Sequence, residues 1–166
     1  STPYWHLDFY DFAFRALHHE LGNDEPKIIV VGAADFSMAA VIHETSPSAN
    51  PEITVLDQCG TAIRYANYWA ETHRIPLQTQ RKSVLSPDEE DLERFDIAAS
   101  DALLTRFPGP SRGAVLSAIR SRLRPGGAFV TTVRDHSRVA PKVSRHEYPI
   151  DQQGLTAKGQ HDLAQH

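Results

Sequence analysis

Short apolar runs that alternate with helical patterns are the feature that most constrains how this 166-residue chain folds. The runs are rich in β-branched residues, and their length is typical of buried strands. The pattern predicts five strands, the third being the weakest, at residues 28–31, 53–56, 77–84, 95–100 and 128–133. Runs that are apolar throughout favour parallel strands that are covered on both faces.

Helical spacing of apolar residues occupies the segments before and between these runs. Apolar side chains recur every three or four residues over about residues 5–21, and Gly22 follows as a helix stop. Further helical segments, one of them short and acidic, are predicted at about 36–44, 61–73, 88–94 and 112–123. Strands that alternate with helices predict an α/β fold, in which a mostly parallel sheet carries helices on both faces through right-handed crossovers.

Length, composition and charge limit the partners of the chain. A chain of 166 residues with 40% apolar residues can bury one core, so we expect a single domain. The net charge of -4 and the lack of a long Lys or Arg run argue against nucleic acid and against an anionic membrane surface. We expect a small-molecule substrate instead, and a homodimer is compatible with the sequence.

One cysteine, Cys59, and nine histidines restrict the redox and metal chemistry. A single thiol can form neither an internal disulfide nor a Cys-based metal site, and a reducing compartment fits it best. The histidine spacings match no zinc motif, so no metal site is expected. The N-terminal residues lack the features of a signal peptide, and no apolar run is long enough to span a bilayer. We therefore expect a cytoplasmic protein.

The loop after the first strand, residues 32–37 with the sequence GAADFS, is a candidate nucleotide-binding loop. Asp57 follows Gly32 by 25 residues, at the end of the second strand. This arrangement suits an adenosine, because the carboxylate can bind the ribose hydroxyls while the helix after the loop faces the polar end. The loop lacks the second and third glycines of a dinucleotide fingerprint, and Asp35 would repel a pyrophosphate. A ligand with an ammonium and a sulfonium would not be repelled, which favours S-adenosylmethionine over NAD or FAD.

Four segments follow one another along the chain: GAADFSM after the first strand, TVLDQC at the second, FDIAASDALLTRF at the fourth and LRPGGAFVTTVR at the fifth. In this order they resemble the class I S-adenosylmethionine-dependent methyltransferases, and the likeness covers about residues 5–135. The first segment is also similar to a bacterial branch whose first loop has the form G-x-A-D-[YF]-[SG]-M. Residues 124–127, RPGG, are predicted to form a turn before the fifth strand.

The resemblance implies a Rossmann-like domain that binds S-adenosylmethionine in residues 1–135 and transfers its methyl group to a small-molecule acceptor. Residues 136–166 would be an irregular C-terminal extension of the same domain. Class I domains usually end in an antiparallel strand pair, whereas this extension is polar and contains Pro141 and Pro149. We therefore expect the strand pair to be absent or incomplete. The alternative function is a catalytically inactive, methyltransferase-like binding or assembly module, which the single loop glycine would also suit.

Five residues are implied to hold the methionine and ribose parts of the cofactor. The resemblance places Gly32, Ala33 and Ala34 along the methionine end. Asp35 would either cap the following helix or reach the ammonium group, because Asp is a common capping residue. Asp57 would accept hydrogen bonds from both ribose hydroxyls, and a simple helix cap is the alternative for this residue as well.

Five further residues are implied to lie near the adenine and the methyl group. Gln58 and Cys59 would lie at the adenine edge, although a lone cysteine is more often a small buried apolar residue. Ser83 stands where many family members have an acid that binds the adenine amino group. Ser100 and Asp101 would face the transferred methyl group, with Asp101 either as the catalytic base or as an ordinary loop residue.

Overall fold

The computed structural model describes residues 3–48, 51–86 and 94–133, and its central feature is a five-stranded parallel sheet. The strands are β1 (Lys27–Val31), β2 (Glu52–Leu56), β3 (Leu77–Gln80), β4 (Phe95–Ser100) and β5 (Leu123–Thr131). Their order in the sheet is β3-β2-β1-β4-β5, and each neighbouring pair is parallel. The chain therefore runs from β1 outwards to β3 and then crosses to β4. Ligands of open α/β sheets bind where the strand order reverses in this way, at the carboxyl ends of the strands.

Helices cover both faces of the sheet. They are α1 (Leu7–Leu21), α2 (Ser37–Thr45), α3 (Gly60–His73) and α4 (Gly109–Arg122), with short 3-10 helices at Pro3–His6 and Leu103–Arg106. Buried residues of α1, α2 and α3 form one core with Ile28 and Val30, whereas buried residues of α4 form a second core with Ile29 and Val31. Successive side chains of a strand point to opposite faces, so the unbroken apolar run of β1 serves both cores. The predicted α/β class is confirmed.

Several elements begin or end at other residues than the sequence predicts, and β3 and α4 are two of them. β3 ends at Gln80, because the chain turns there: the N–H of Lys82 donates to the carbonyl oxygen of Gln80 at 3.2 Å. α4 begins at Gly109, three residues before the predicted start, with a proline in its first turn, where the missing N–H costs nothing. The acidic turns predicted at 88–94 fall, apart from Arg94, outside the described residues, as does every prediction for 136–166.

The turn predicted at residues 124–127 is wrong, because these residues belong to β5. Here β5 pairs irregularly with β4, and the register shifts between Phe95 and Ile97. Such a shift is a bulge, which places extra residues in one strand without ending the pairing. A Cβ on Gly127 would lie 2.9 Å from the carbonyl oxygen of Asp96, so glycine permits the close approach of the two strands.

One buried carboxylate joins this irregular part of the sheet to β1. Asp96 lies in β4 and is 3% exposed. Its Oδ2 accepts hydrogen bonds from the backbone N–H of Lys27 at 2.7 Å and from the side-chain amide of Asn23 at 3.1 Å. Its Oδ1 forms an ion pair with the guanidinium of Arg124. The FD and LRPGG segments of the sequence therefore meet in one ion pair.

Replacing Asp96 by Ala is expected to lower the free energy of unfolding by about 3 kcal/mol, because three donors lose their buried acceptor. Urea denaturation followed by circular dichroism measures this change. Asp11→Ala is the matched control, since the ion pair of Asp11 with Arg15 is exposed and should contribute less than about 1 kcal/mol. Equal losses in the two variants would contradict the structural role of Asp96.

Candidate functional site

Two adjoining cavities lie at the carboxyl ends of β1, β2 and β4, with volumes of about 190 Å³ and 520 Å³. Both are lined by Gly32, Ala33, Ala34 and Arg106, so we describe them together as the cleft. The first, smaller cavity is also lined by Asp35, Ser100 and Asp101. The second is also lined by Asp57, Gln58, Cys59 and Ser83. The structure thus brings all ten residues that the sequence singled out to the walls of one cleft.

The loop after β1 packs against the segment after β4 at Gly32. Gly32 has a φ of 72°, in the left-handed region that favours glycine. A Cβ at this position would overlap Cδ1 of Leu103. The N–H of Gly32 donates to the carbonyl oxygen of Leu56 at 3.0 Å, which holds the loop to the end of β2. Position 32 therefore requires glycine both for its backbone conformation and for the approach of Leu103.

Asp35 lies just before the helix that follows the loop, one residue before its N-cap Phe36. Its Oδ1 accepts a hydrogen bond from the backbone N–H of Ser37 at 2.7 Å, at the first residue of α2. The bond satisfies the N–H of the first helical residue, and a negative charge there also suits the positive end of the helix dipole. The two roles that the sequence predicted for Asp35 stay predictions. The same residue lines the first cavity. A negative charge therefore lies beside the Gly32 loop.

Asp57 follows β2 and is held in place by its own loop. Its Oδ1 accepts a hydrogen bond from the backbone N–H of Cys59 at 2.6 Å, and its own N–H donates to the carbonyl oxygen of Gln80 at 3.2 Å. These bonds fix the carboxylate at the wall of the second cavity. A carboxylate has two oxygens, so a bond within the loop is compatible with a bond to a ligand.

Cys59 is exposed, so its interpretation as a small buried apolar residue is wrong. The residue directly precedes α3, outside the apolar spacing that faces the core. Hydrogen bonds from the backbone N–H groups of Ala62 and Thr61 lower the pKa of its thiol below the usual value, because they stabilise the thiolate. Gln58 is exposed beside it. Both side chains thus border the second cavity from the solvent side.

A turn that contains Ser83, Val84 and Leu85 forms another part of the second cavity. The Ser83 hydroxyl oxygen accepts a hydrogen bond from the N–H of Leu85 at 3.2 Å. The buried guanidinium of Arg122, in α4, donates to the carbonyl oxygens of Val84 and Ser86 at 3.0 and 3.1 Å. Arg122 therefore fixes the turn, which presents a hydroxyl rather than a carboxylate at position 83.

A network of hydrogen bonds holds Asp101 beside the first cavity. The hydroxyl of Thr132 donates to Asp101 Oδ1 at 2.5 Å, and the Tyr10 hydroxyl lies 3.3 Å from the same oxygen. Thr132 in turn accepts a hydrogen bond from the N–H of Ala102 at 3.1 Å. Burial raises the pKa of Tyr10 well above its usual value, so its hydroxyl stays a neutral donor. Residues from α1 and from the end of β5 thus orient the Asp101 carboxylate.

Ser100 is buried at the end of β4, where its polar groups already have partners. Its hydroxyl oxygen is 2.9 Å from that of Thr131, and its carbonyl oxygen is 3.1 Å from the Tyr10 hydroxyl. A hydrogen bond from the Ser100 side chain to a ligand would have to compete with Thr131. Ser100 lies at the wall of the first cavity, and its hydroxyl keeps acceptor capacity beyond the bond to Thr131.

Sequence reasoning missed several residues of the site, and four of them hold or shape its polar groups: Tyr10, Leu103, Arg106 and Thr132. Tyr10 and Thr132 contact Asp101 across separations of 91 and 31 residues, which no local pattern records. Leu103 and Arg106 line the cleft but follow no helical or strand periodicity. One signal was available for three of them. Leu103 and Arg106 lie within the segment FDIAASDALLTRF and Thr132 lies within LRPGGAFVTTVR, and both segments carried the family resemblance.

The charged groups of the cleft are separate carboxylates and an arginine rather than a metal site. Within residues 3–48, 51–86 and 94–133, no group of three or more His, Cys, Asp or Glu side chains could hold a metal ion. In the same ranges, no helix is long and apolar enough to cross a membrane.

Solved structures of methyltransferases share this fold, although no protein-family model and no curated protein matches the chain. A candidate O-methyltransferase from Nostoc punctiforme is 16% identical, with a TM-score of 0.60 over 81% of this chain and 40% of that one. Magnesium protoporphyrin IX methyltransferase from Synechocystis, solved with bound S-adenosylmethionine, is 13% identical, with a TM-score of 0.55 over 71% of this chain and 54% of that one. PKMT2 from Rickettsia typhi, in complex with AdoHcy, is 18% identical, with a TM-score of 0.51 over 63% of this chain and 20% of that one.

These similarities define the class of fold. The chain has the class I fold of S-adenosylmethionine-dependent methyltransferases, as the four sequence segments implied. It spans between 20% and 54% of the length of the three solved chains. At 13% to 18% identity the likeness shows the fold and not the activity. Membership of the bacterial branch with the G-x-A-D-[YF]-[SG]-M loop stays a prediction.

Gly32→Ala is expected to lower the free energy of unfolding by about 2 to 4 kcal/mol, because the new Cβ meets both a left-handed backbone and Leu103. Gly22→Ala is the matched control, since Gly22 has a φ of 57° but no atom within 4 Å of the Cβ position. We expect a loss of about 1 kcal/mol there. Urea denaturation compares the two variants, and adding Leu103→Ala should reduce the penalty of Gly32→Ala. Equal losses at both glycines would contradict the close approach of Leu103.

The thiol of Cys59 is expected to react with iodoacetamide at lower pH than an ordinary thiol. The thiolate is the reactive form, and a lowered pKa increases its fraction near neutral pH. Cys59 is the one cysteine of the sequence, so mass spectrometry follows a single site. The same protein unfolded in urea is the control, because the N–H groups at the start of α3 no longer donate hydrogen bonds to the thiol there. If the alkylation rate reaches half its maximum at the same pH in the folded and the unfolded protein, the lowered pKa of Cys59 is contradicted.

Proposed function

We propose that this chain binds S-adenosylmethionine in the cleft and transfers its methyl group to a small-molecule acceptor. The observation that carries the proposal is the position of Asp57, whose carboxylate lines the second cavity at the end of β2 while the Gly32 loop lines both cavities. In parallel α/β sheets, this pair of positions serves a ribose and the remainder of a nucleoside ligand. The fold that the chain shares with solved methyltransferases supports the same function.

The charge of the cleft supports S-adenosylmethionine over a dinucleotide. Three carboxylates line it, those of Asp35, Asp57 and Asp101. Together they favour a ligand that carries an ammonium and a sulfonium, and they disfavour a pyrophosphate. Asp35 and Asp101 lie in the first cavity, so that cavity is proposed for the methionine part.

The adenosine part is proposed to occupy the larger second cavity. Asp57 would accept hydrogen bonds from the ribose hydroxyls there, and its fixed loop would keep the carboxylate in position. Gln58, Cys59 and Ser83 would border the adenine, because they line the same cavity. The shared wall of Gly32, Ala33 and Ala34 would contact the middle of the ligand, between the two cavities.

Methyl transfer of this kind asks little of the protein beyond positioning. S-adenosylmethionine supplies the electrophilic methyl group when it is bound. The protein then has to align the acceptor with that group and exclude water. For an acceptor hydroxyl, we assign Asp101 as the base that takes the proton, because Thr132 and Tyr10 hold its Oδ1 and leave Oδ2 for a ligand. A neutral amine or a carbanion has a free electron pair and can attack the methyl group without such a base.

Calorimetry with S-adenosylmethionine and S-adenosylhomocysteine tests the proposal. The wild-type chain is expected to bind both with micromolar affinity, and Asp57→Asn is expected to bind them roughly tenfold more weakly or worse. Asn keeps an oxygen that can accept the hydrogen bond from Cys59 but removes the charge. Thermal unfolding of each variant shows whether the fold is retained.

Asp24→Asn is the matched control for Asp57→Asn, since the Asp24 side chain is fully exposed and lines neither cavity. Its affinities should equal those of the wild type. Bound S-adenosylhomocysteine should also slow the alkylation of Cys59, because that thiol borders the cavity proposed for adenine. If the wild-type chain binds neither ligand, the proposed function is wrong.

A further inference from the structure

Arg106 lies at the junction of the two cavities, and the packing of its helix explains why. It is the last residue of the 3-10 helix Leu103–Arg106 and lines both cavities. In a 3-10 helix, residues three positions apart lie above one another. Arg106 is therefore on the same side of the helix as Leu103, which packs against Gly32. The side chain of Arg106 is thus tethered close to the loop that the two cavities share.

The charge of Arg106 is unmatched in the part of the chain that the structure describes. Among the described residues that line the cleft, it is the one cation, beside three carboxylates. Each of those carboxylates accepts a hydrogen bond from a nearby group of the protein. Arg106 is exposed, and its side chain makes no hydrogen bond and no ion pair with any described residue. Its guanidinium is available to a ligand.

We propose that Arg106 binds a carboxylate group of a ligand held in the cleft. The guanidinium is a positively charged, planar fork of donors that matches the two oxygens of a carboxylate. This inference rests on the proposed function and deepens it. The carboxylate can come from the amino-acid end of S-adenosylmethionine or from an acidic methyl acceptor that approaches the junction.

The first experiment tests the cofactor as the source. S-adenosylhomocysteine and 5′-methylthioadenosine share the adenosine and the sulfur, but only the first has a carboxylate. If the cofactor is the source, Arg106→Gln binds S-adenosylhomocysteine roughly tenfold more weakly or worse and binds 5′-methylthioadenosine as the wild type does. Arg106→Lys keeps the charge without the fork and should show an intermediate loss. Calorimetry measures all these affinities.

The second experiment tests an acidic acceptor as the source. The protein is saturated with S-adenosylhomocysteine and titrated with small aromatic and aliphatic carboxylic acids, each beside its own carboxamide, with ligand-observed NMR as the readout. If the acceptor is the source, the wild type prefers the acids to the amides, and Arg106→Gln loses that preference. Arg120→Ala is the control in both experiments, because Arg120 is exposed on α4 and lines neither cavity.

Three results separate the failure of this inference from the failure of the proposed function. A loss confined to carboxylate ligands in Arg106→Gln, in either experiment, supports the role of Arg106. If the wild type binds S-adenosylhomocysteine and Arg106→Gln binds it equally well, with acids and amides bound alike, Arg106 has no such role while the proposed function stands. If the wild type binds neither S-adenosylhomocysteine nor 5′-methylthioadenosine, the proposed function is wrong and this inference is wrong with it.

Discussion

The close approach of Leu103 to Gly32 is the contact on which the cleft depends. It joins the loop after β1 to the segment after β4, and these neighbouring strands flank the point where the strand order of the sheet reverses. Because of this contact, the 3-10 helix that begins at Leu103 forms part of the wall of both cavities. A Cβ at position 32 would overlap the Leu103 side chain, so that side chain or the loop would have to shift.

The carboxylates of the cleft are positioned by the protein itself. Asp35 and Asp57 each accept a hydrogen bond from the backbone N–H of the residue two positions later in the chain. The Thr132 and Tyr10 hydroxyls hold Asp101. Side chains that are already held lose less conformational freedom when a ligand binds. The cleft therefore presents ordered negative charge to a ligand, which is the arrangement that a cationic cofactor needs.

The strands near the centre of the sheet were predictable from the sequence, whereas the pairing at β5 was not. Pro and Gly in LRPGG favour a turn when only the local sequence is considered. In the structure residues 124–127 form a bulge inside β5, between the pairs Phe95–Leu123 and Ile97–Ala128, and Arg124 forms an ion pair with the buried Asp96. The neighbouring strand β4 pairs with β5 on both sides of the bulge and supplies the counter-charge of Arg124, and neither can be read from a stretch of five residues.

The sequence by itself determined the alternation of strands and helices, and with it the positions of Gly32 and Asp57 after β1 and β2. These features depend on local apolar spacing and on the backbone freedom of glycine, which are properties of short stretches of chain. Only the tertiary structure decided that Tyr10 holds Asp101 and that Arg106 reaches both cavities. Both features depend on packing between segments that are distant in sequence. A local sequence pattern does not indicate which distant side chains will lie next to it.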